Sequence, residues 1–337
     1  MRTVLVTGSA GFIGFHLCKL LIKEGFVVVG YDGLTDYYDV ALKRARHDEL
    51  KKHNAFSCVE GRLEDAEKLA ELTAKTKPDI IVHLAAQPGV RYSLENPRAY
   101  IDANIVGSFN VMECARELGV EHLLIASTSS VYGANTEMPY RETDKVDHQM
   151  TIYAAAKKSV EMMAHSYAHL WDIPTTMFRF FTVYGPWGRP DMAFFKFTKA
   201  ILEGRVIDIY NNGEMYRDFT YVEDLVRGIR LIMDQVPQRL ASREDVAEDD
   251  SLSPVAPHRI VNIGNGEKVR LLDYIDALEE AIGEKAIRNY MDMQPGDVEA
   301  TWADSSLLKR LTGYQPTTGY REGVAQFVAW YRDYYKV

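Results

Sequence analysis

Cysteine is scarce in this sequence of 337 residues. The three cysteines, Cys18, Cys58 and Cys114, are far apart, and none belongs to a CxxC pair. An odd, widely spaced set argues against a disulfide framework, and no Cys/His spacing typical of zinc sites is present, so we predict no metal. We therefore expect a protein of a reducing compartment, with the cytoplasm as the simplest location.

Long hydrophobic runs and basic runs are also missing. No apolar stretch reaches the ~18 residues that a bilayer-spanning helix needs. The first residues lead directly into a predicted strand rather than into an apolar signal segment. The 39 Lys and Arg residues are outnumbered by 48 Asp and Glu, which gives a net charge of −9. Because an acidic surface repels phosphate groups, we expect binding to neither nucleic acid nor membranes.

The composition is that of an ordinary globular chain, with 47% apolar and 26% charged residues. In the first half, short β-rich runs alternate with longer helical patterns, which is typical of βαβ units around a parallel sheet. The predicted strands are Thr3–Thr7, Val27–Tyr31, Ala55–Val59, Ile80–Leu84, His122–Ala126 and Thr175–Phe180, and the predicted helices are Ile13–Glu24, Ala66–Lys75, Pro97–Leu118 and Ile152–Leu170. We therefore predict an α/β fold, a Rossmann-type doubly wound parallel sheet with a smaller mixed α/β substrate domain.

Turn signals become frequent after about Arg179. Asn212-Gly213, between two β-rich runs at 207–210 and 219–222, predicts a β-hairpin. The charged, proline-containing segment 236–257 predicts a surface loop, and Gly319–Tyr335 predicts an amphipathic helix. A length prior of about 150 residues per domain suggests two domains. We place a cofactor domain at residues 1–178 and a substrate domain at 179–337, with crossovers of 218–235 and 259–263 back to the first domain left open.

Three glycines, Gly8, Gly11 and Gly14, separate the first predicted strand from the first helix. Glycine at this place lets the backbone turn tightly and approach a pyrophosphate, which the free N–H groups of the helix N-terminus attract. Asp32 ends the second strand, where a carboxylate accepts hydrogen bonds from ribose hydroxyls and repels a 2′-phosphate. A turn without a ligand is the alternative, but the βαβ context favours a dinucleotide site for NAD rather than NADP.

Tyr153 and Lys157 lie four residues apart at the start of an alanine-rich helix, so both side chains can reach one ligand. A free phenol has a pKa of about 10 and is a poor base at neutral pH. A nearby ammonium and an oxidised nicotinamide, both cationic, would favour the phenolate, which can take the proton from a sugar hydroxyl. Taken alone, this spacing also fits an ordinary surface pair.

Hydroxyl groups follow the apolar strand at 123–126, in the stretch Ser127-Thr128-Ser129-Ser130. In open α/β sheets, ligands bind beyond the carboxyl ends of the strands. Thr128, Ser129 and Ser130 are therefore candidates to hydrogen-bond the reacting sugar oxygen together with Tyr153. The alternative is a Ser/Thr turn that satisfies its own backbone.

With these motifs, the sequence from Arg2 to about Asp304 resembles the extended short-chain dehydrogenase/reductase family of nucleotide-sugar enzymes. Further matching blocks are His83–Gln87, Asn104, Arg217–Phe219, Asn262–Gly264 and Pro295–Asp297. Within the family it is most similar to the UDP-glucuronate 4-epimerases, because the stretch from Arg179 to Ala193 carries Thr182 and Arg189. UDP-galactose 4-epimerases tend to have Asn in place of Thr182 and lack the arginine.

The resemblance implies the roles of the site residues. Tyr153 is the base, Lys157 orients the nicotinamide ribose, Thr182 and Arg189 hold the sugar carboxylate, and Arg217 pairs with the diphosphate; a surface ion pair is the alternative for each arginine. The residues implied for NAD are Gly8, Gly11, Phe12, Ile13, Gly14, Asp32, Leu63, Leu84, Ala85, Ala86, Gln87, Asn104, Tyr153 and Lys157. Those implied for the substrate are Arg91, Thr128, Ser129, Ser130, Thr182, Arg189, Ala193, Phe197, Tyr210, Arg217 and Asp297.

The turn before Val131 separates the family's reactions. Dehydratases carry Asp-Glu there and UDP-glucuronate decarboxylases carry Glu, whereas this chain has Ser129-Ser130. The resemblance therefore implies interconversion of UDP-glucuronate and UDP-galacturonate. The alternatives are a decarboxylase, a 4-epimerase of a neutral UDP-sugar, and an NAD-binding regulator without chemistry. Helices 97–118 and 152–170 would pair across the axis of a homodimer.

Two positions depart from the family pattern. Arg62 stands where an Asp would bond the adenine amino group, so we expect the adenine contact at the Leu63 backbone or elsewhere. Gln294 stands where galactose epimerases have a second phosphate-binding arginine. We expect the affinity for UDP to depend more on Arg217 and on helix or backbone donors.

Overall fold

The computed structural model describes residues 1–294 and 296–337. Pro295, at a turn that the sequence predicts, lies outside them. Seven parallel strands form the central sheet: β1 Thr3–Thr7, β2 Val27–Asp32, β3 Phe56–Glu60, β4 Ile80–His83, β5 His122–Ala126, β6 Thr175–Phe180 and β11 His258–Ile263. Their order across the sheet is β11-β6-β5-β4-β1-β2-β3. The predicted α/β fold with a parallel, doubly wound sheet is confirmed.

The central strands are apolar throughout because both faces of the sheet are covered. Val4 and Val6 of β1 pack into one core, whereas Leu5 between them packs into the core on the opposite face. Successive side chains of a strand point to opposite faces, so each continuous apolar run supplies both cores. Helices α1 (Phe12–Lys23) and α9 (Val222–Ile232) cover the first face, and α3 (Ala66–Thr76), α6 (Gly107–Leu118) and α7 (Ile152–Trp171) cover the second.

Two helical features differ from the prediction. The predicted helix 97–118 is interrupted, because α5 (Pro97–Tyr100) passes through a π-helical segment, Ile101–Val106, before α6 begins. Helix α2 (Val40–Leu50) was not predicted, since it buries the polar side chains of Lys43, Arg46 and His47 and so lacks an apolar stripe. Short helix α4 spans Tyr92–Glu95.

The second half of the chain builds a smaller mixed region with its own core. It contains β7 (Thr182–Tyr184), α8 (Ala193–Leu202), β8 (Val206–Ile209), β9 (Tyr216–Arg217), β10 (Phe219–Tyr221), β12 (Val269–Arg270), α10 (Leu271–Ile282), β13 (Ile287–Tyr290), β14 (Ala300–Thr301) and α12 (Tyr320–Tyr335). Helix α11 (Ser306–Thr312) packs instead on α9 and β11, in the first core of the central sheet. Aromatic side chains of α8, such as Phe194 and Phe195, pack against Phe327 and Tyr331 of α12. The predicted C-terminal helix thus covers this core.

The predicted hairpin at 207–222 is wrong. Strand β8 pairs in parallel with β13, and β10 pairs in parallel with β7. The turn residues are correct, since Asn211 and Asn212 have φ values of 49° and 50° and Gly213 has 80°. The strands on either side diverge because each has another partner in the fold.

The chain returns to the first sheet after entering the smaller region. Strand β11 pairs with β6 and completes the sheet, while α9 packs against α1. Between them, segment 236–257 is a loop with one short 3₁₀ turn, Arg243–Asp245. The domain boundary between 178 and 179 stays a prediction.

Within residues 1–294 and 296–337, no helix combines the length and the apolarity that crossing a membrane requires.

Candidate active site

The glycine-rich loop between β1 and α1 has room only for glycine at two places. A Cβ at residue 14 would lie 2.0 Å from the Gly8 carbonyl oxygen, and one at residue 11 would lie 2.9 Å from the same atom. Gly8 itself has φ +76°, which favours glycine. The close turn brings the N-terminus of α1 to the edge of a cleft, where its N–H groups favour an anion.

Asp32, at the end of β2, is fixed by backbone donors. Its Oδ2 accepts a hydrogen bond from the Ala10 N–H at 3.0 Å, and its Oδ1 accepts one from the Leu34 N–H at 2.8 Å. The carboxylate is thereby held at the cleft edge, where ribose hydroxyls could donate to it. The sterically closed glycine loop and this carboxylate fit the adenosine and pyrophosphate of NAD.

We name the space beside this loop the glycine cleft. It has a volume of about 630 Å³. Its walls include Gly8, Gly11, Phe12, Ile13, Gly14, Asp32, Leu63, Leu84, Ala85, Ala86, Gln87, Tyr153 and Lys157, all of them predicted cofactor residues. Whether these residues contact the cofactor stays a prediction.

Asn104, the remaining predicted cofactor residue, does not line the glycine cleft. Its side chain is fully buried, its Oδ1 accepts from the Gln87 N–H at 2.7 Å, and its Nδ2 donates to the Gln87 carbonyl at 3.1 Å. In the structure Asn104 holds the Gln87 segment in place, and its contact with the cofactor stays a prediction.

The adenine end of the cleft includes both Arg62 and Leu63. The Leu63 carbonyl accepts a hydrogen bond from Asn110 Nδ2 at 2.8 Å, and the Arg62 carbonyl accepts one from Tyr31 Oη at 2.8 Å. Both carbonyls therefore already have a partner within the protein. The expected backbone contact to adenine stays a prediction.

Lys157 and Tyr153 project from the first turns of α7. Lys157 Nζ is buried and donates to the Ala126 carbonyl at the end of β5, at 2.8 Å. Burial lowers the pKa of Lys157 to about 8, although the Glu161 charge acts against this. Burial raises the pKa of Tyr153, while a hydrogen bond with Thr128 and the charge of Arg189 act in the opposite direction. The phenol thus needs further positive charge to become a base.

The hydroxyl turn after β5 is ordered by its own contacts. Thr128 Oγ1 accepts from the Ser130 N–H and donates to Ser130 Oγ, both at 3.2 Å. Ser127 points away and donates to the buried Glu161 carboxylate at 2.7 Å. The segment therefore forms the self-bonded Ser/Thr turn that was the alternative prediction. Its residues Thr128, Ser129 and Ser130 nevertheless line a second cavity.

We name this second space the arginine cavity. It has a volume of about 750 Å³. Its walls include Arg91, Thr128, Ser129, Ser130, Thr182, Arg189, Ala193, Phe197, Tyr210, Arg217 and Asp297, which are the predicted substrate residues. The glycine cleft and the arginine cavity share Tyr37, Tyr92, Thr128, Tyr153, Phe181, Arg189 and Met192. Tyr153, Thr128 and Arg189 therefore lie where the two spaces meet.

Arg189 is oriented by a nearby carboxylate. Its Nε donates to Asp191 Oδ1 at 3.1 Å, and its Nη2 donates to Asp191 Oδ2. Tyr37 Oη makes a longer contact, 3.4 Å, with the same carboxylate. The Arg189 side chain is 24% exposed, so this pair lies in the cavity wall rather than on the open surface.

The other two arginines have different partners. Arg217 donates to the backbone carbonyls of Tyr216, Val298 and Glu299 at 2.8 to 3.0 Å, and burial lowers its pKa. Arg91 donates to Asp297 at 2.6 Å, and its guanidinium lies 4.5 Å from the centre of the Tyr210 ring. Both line the arginine cavity, as a diphosphate-binding role requires.

The NAD dependent epimerase/dehydratase family matches residues 4–246. The chain belongs to this family. The resemblance inferred from the sequence is thus confirmed, and the glycine loop, Tyr153 and Lys157 all lie within the matched region of this family member.

Relatives of this family member match along nearly the whole chain. A probable UDP-glucuronate 4-epimerase of Rhizobium meliloti (strain 1021) is 54% identical over 332 residues, which are 98% of this chain and 97% of the relative. UDP-glucuronate 4-epimerase 4 of Arabidopsis thaliana is 43% identical over 99% of this chain and 76% of its own length. A solved structure of UDP-glucuronic acid 4-epimerase from Bacillus cereus, in complex with UDP-glucuronic acid and NAD, has a TM-score of 0.87 at 31% identity, and the match covers 99% of this chain and 100% of that chain.

Several residues of the site were not predicted from the sequence. Tyr37 and Tyr92 line both spaces, and Asp191 orients Arg189. Asp191 lies two residues after Arg189, and this spacing was the available signal. Tyr37 precedes the unpredicted α2, so no pattern placed it near the site.

Proposed function

We propose that this chain is an NAD-dependent UDP-glucuronate 4-epimerase that interconverts UDP-glucuronate and UDP-galacturonate through a transient 4-keto sugar. The observation that carries the proposal is the common wall of the glycine cleft and the arginine cavity. Tyr153, Thr128 and Arg189 lie in this wall, and a base, a hydroxyl and a guanidinium are the groups that oxidation of a sugar acid beside a cofactor requires, which supports the proposal. The closely similar relatives bearing this name support the same reading.

The residues that would hold NAD are those of the glycine cleft, with Asp32 at the ribose and the α1 N-terminus at the pyrophosphate. Bound there, NAD would supply the hydride chemistry at C4 of the sugar, which allows the configuration at C4 to be inverted. The protein must therefore bind the sugar with C4 near Tyr153 and let the sugar ring turn over while the nucleotide stays bound.

Tyr153 takes the proton of the C4 hydroxyl and returns it in the second half of the reaction. Lowering a phenol pKa by about three units requires roughly 4 kcal/mol of differential stabilisation. The Arg189 guanidinium contributes positive charge that lowers the Tyr153 pKa. The buried Lys157 ammonium, one helical turn away, would add to it. The Thr128 hydroxyl hydrogen-bonds the C4 oxygen of the sugar as well and so helps to align that oxygen with Tyr153.

The charged ends of the substrate match the arginines. Arg91 and Arg217 line the arginine cavity at the place where a diphosphate would lie, next to Asp297 and Tyr210 for the nucleoside. Thr182 and Arg189 are available to the sugar carboxylate. Asp191 accepts from Nε and Nη2, so within residues 1–294 and 296–337 Nη1 of Arg189 is left for a bond to the sugar carboxylate.

A carboxylated sugar brings a chemical hazard. The 4-keto form is a β-keto acid, and it loses CO2 readily when the C5–C6 bond aligns with the carbonyl π system. A guanidinium that fixes the carboxylate out of this alignment protects the intermediate. Ser129 and Ser130 supply no carboxylic acid in the turn, which favours epimerisation over the related elimination and decarboxylation reactions.

The decisive experiment incubates the purified protein with UDP-glucuronate and identifies the nucleotide sugars formed. We expect UDP-galacturonate as the main product, no net accumulation of NADH at 340 nm, and little UDP-pentose. UDP-glucose serves as the matched neutral substrate, and we expect its turnover to be at least about tenfold slower because it lacks the partner of Arg189. Mainly UDP-pentose would indicate a decarboxylase, faster turnover of UDP-glucose a neutral-sugar epimerase, and no turnover a regulator.

We also propose that two copies associate through α6 and α7. Apolar side chains protrude along this face, among them Phe109 at 44%, Met162 at 57% and Leu170 at 64% exposure. Neighbouring exposed apolar groups are typical of an interface. Light scattering should give the dimer mass at micromolar protein, and a Met162→Glu variant should shift it toward the monomer. A monomer mass for the unaltered protein would refute the proposal.

A further inference from the structure

Arg46, on α2, is fully buried and joins two loops that are far apart in the sequence. Its Nη1 donates to the Ala10 carbonyl at 2.8 Å and to Tyr38 Oη at 2.9 Å. Its Nη2 donates to the carbonyls of Trp187 and Gly188 at 2.6 and 3.2 Å. The last of these belongs to the peptide bond that joins Gly188 to Arg189. One guanidinium therefore connects the glycine-rich loop to the segment that carries Arg189.

This segment has an unfavourable backbone conformation that needs support. Trp187 has φ +60°, which is rare for a bulky residue, and Gly185 has φ +139°. His16 Nε2 contacts the Pro186 carbonyl at 2.9 Å, and burial lowers the pKa of His16 to about 3, so the neutral ring donates this bond. The rings of Phe15 and Trp187 lie 5.1 Å apart. Helices α1 and α2 thus hold the segment from two directions.

The other end of the connection lies in the glycine-rich loop. The peptide group of Ala10 is bonded on both sides, since its N–H donates to Asp32 and its carbonyl accepts from Arg46. His47, next to Arg46, contacts Ser9 Oγ at 2.9 Å. The Arg189 segment is therefore tied, through Arg46, to the same glycine-rich loop that lines the glycine cleft.

We propose that Arg46 is a positioning residue that fixes the Arg189 guanidinium relative to the cofactor site and thereby keeps the sugar carboxylate from being lost. This role rests on the proposed function, and it assigns to Arg46 the part of keeping the carboxylate in the product. If Arg189 shifts, the carboxylate can rotate into alignment with the C4 carbonyl. The C5–C6 bond then breaks, CO2 leaves, and the electron pair passes into a C4–C5 enolate that is protonated at C5. The product is a UDP-4-keto-pentose, and return of the hydride that was taken from C4 converts it into a UDP-pentose in place of UDP-galacturonate.

The test compares Arg46→Lys and Arg46→Met with Arg44→Met. Arg44 lies on the same helix, its side chain is 60% exposed, and its nearest carboxylate is 3.9 Å away, so this control should behave like the unaltered enzyme. Since misplacement by about 1 Å can cost on the order of 100-fold in rate, we expect kcat to fall roughly 100-fold for Arg46→Met and about tenfold for Arg46→Lys. Lys keeps the charge and reaches fewer of the carbonyls, so it remains informative if the Met variant folds poorly.

The share of pentose among the products separates positioning from a merely structural role. We expect this share to rise at least about tenfold in Arg46→Lys, because the carboxylate is less well held. Arg189→Ala should also release pentose, and adding Arg46→Lys to it should raise the share no further, since the two residues act through one guanidinium. A lower kcat with an unchanged pentose share, or additive effects of the two variants, would overturn the proposal.

A binding measurement decides the matter without turnover. In a Tyr153→Phe background, titration calorimetry compares UDP-glucuronate with UDP-glucose, and adding Arg46→Lys should reduce the preference for the acid by about tenfold. If the unaltered chain makes no UDP-galacturonate, the proposed function fails, and this affinity ratio still tests Arg46. If the unaltered chain is an epimerase and the ratio does not change, only the inference about Arg46 fails.

Discussion

Replacing Tyr153 by Phe is expected to lower kcat for UDP-glucuronate by roughly 1,000-fold, within the range that a lost general base produces. The substitution removes only the phenolic oxygen. The ring keeps its edge contact with Tyr100, whose centre lies 6.0 Å away, so the wall between the two spaces is preserved. The KM for UDP-glucuronate should change little, because Arg91, Arg189 and Arg217 are untouched.

The matched control is Tyr167→Phe, which removes a phenolic oxygen from the same helix. Tyr167 Oη donates to Glu113 at 2.6 Å, away from both spaces, and this variant should keep the kcat of the unaltered enzyme. The measurement is the initial rate of UDP-galacturonate formation. If Tyr153→Phe retained more than about a tenth of the activity, another group would have to be the base.

The part of the site that the sequence predicted depends on one geometric regularity. Strands of a parallel sheet end at the same edge, so Gly8, Asp32 and Thr128, each at or just after the end of a different strand, had to lie near one another. Buried parallel strands are also easy to recognise, since both faces need apolar side chains. The family resemblance then supplied the arginines, which no spacing argument relates to the sheet.

The features that were not predicted correctly depend on tertiary contacts, which a single sequence does not display. Helix α2 buries Arg46 and His47 in a polar network, so its pattern is that of an exposed segment. The bonds of the Asn104 amide to the Gln87 backbone are likewise a tertiary contact that the sequence does not display. The turn at Asn212 has hairpin chemistry, and only the distant β7 and β13 decide that no hairpin forms.

Replacing Glu161 by Ala is expected to destabilise the fold by about 3–5 kcal/mol, the usual result of leaving a buried charge without its partner. Glu161 lies on α7 one turn after Lys157. Its carboxylate accepts two hydrogen bonds from Arg179 at 3.0 Å, one from Ser127 at 2.7 Å and one from Lys158 at 3.1 Å. The Glu161 and Arg179 side chains are each 1% exposed. The loss should appear as a lower free energy of unfolding in urea.

Two controls separate the buried charge from the simple loss of an ion pair. Glu280 pairs with Arg321 at 2.6 Å, but 75% of its side chain is exposed, so Glu280→Ala should cost at most about 1 kcal/mol. The double variant Glu161→Met/Arg179→Met removes both buried charges and should be more stable than Glu161→Ala. If the double variant were as unstable as the single one, packing rather than the unpaired Arg179 would explain the effect.

The same pair makes the stability depend on acid in a definite direction. Burial alone would raise the pKa of Glu161, but the Arg179 charge and the hydrogen bonds outweigh it and lower the pKa to about 2. A carboxyl whose pKa is lower in the folded state stabilises the protein above its unfolded pKa of about 4.3, and the contribution is lost as the pH falls toward the folded value. The free energy of unfolding should therefore fall between about pH 4 and pH 2, and it should fall less steeply in Glu161→Gln, which has no carboxyl to protonate.

Because the Glu161 charge also opposes the lowering of the Lys157 pKa, the Gln variant should lose epimerase activity at a lower alkaline pH than the unaltered enzyme, as Lys157 gives up its proton earlier. The measurement is the alkaline limb of the pH–rate profile in both enzymes. If the two limbs were identical, the Glu161 charge would stabilise the fold without affecting the protonation of Lys157.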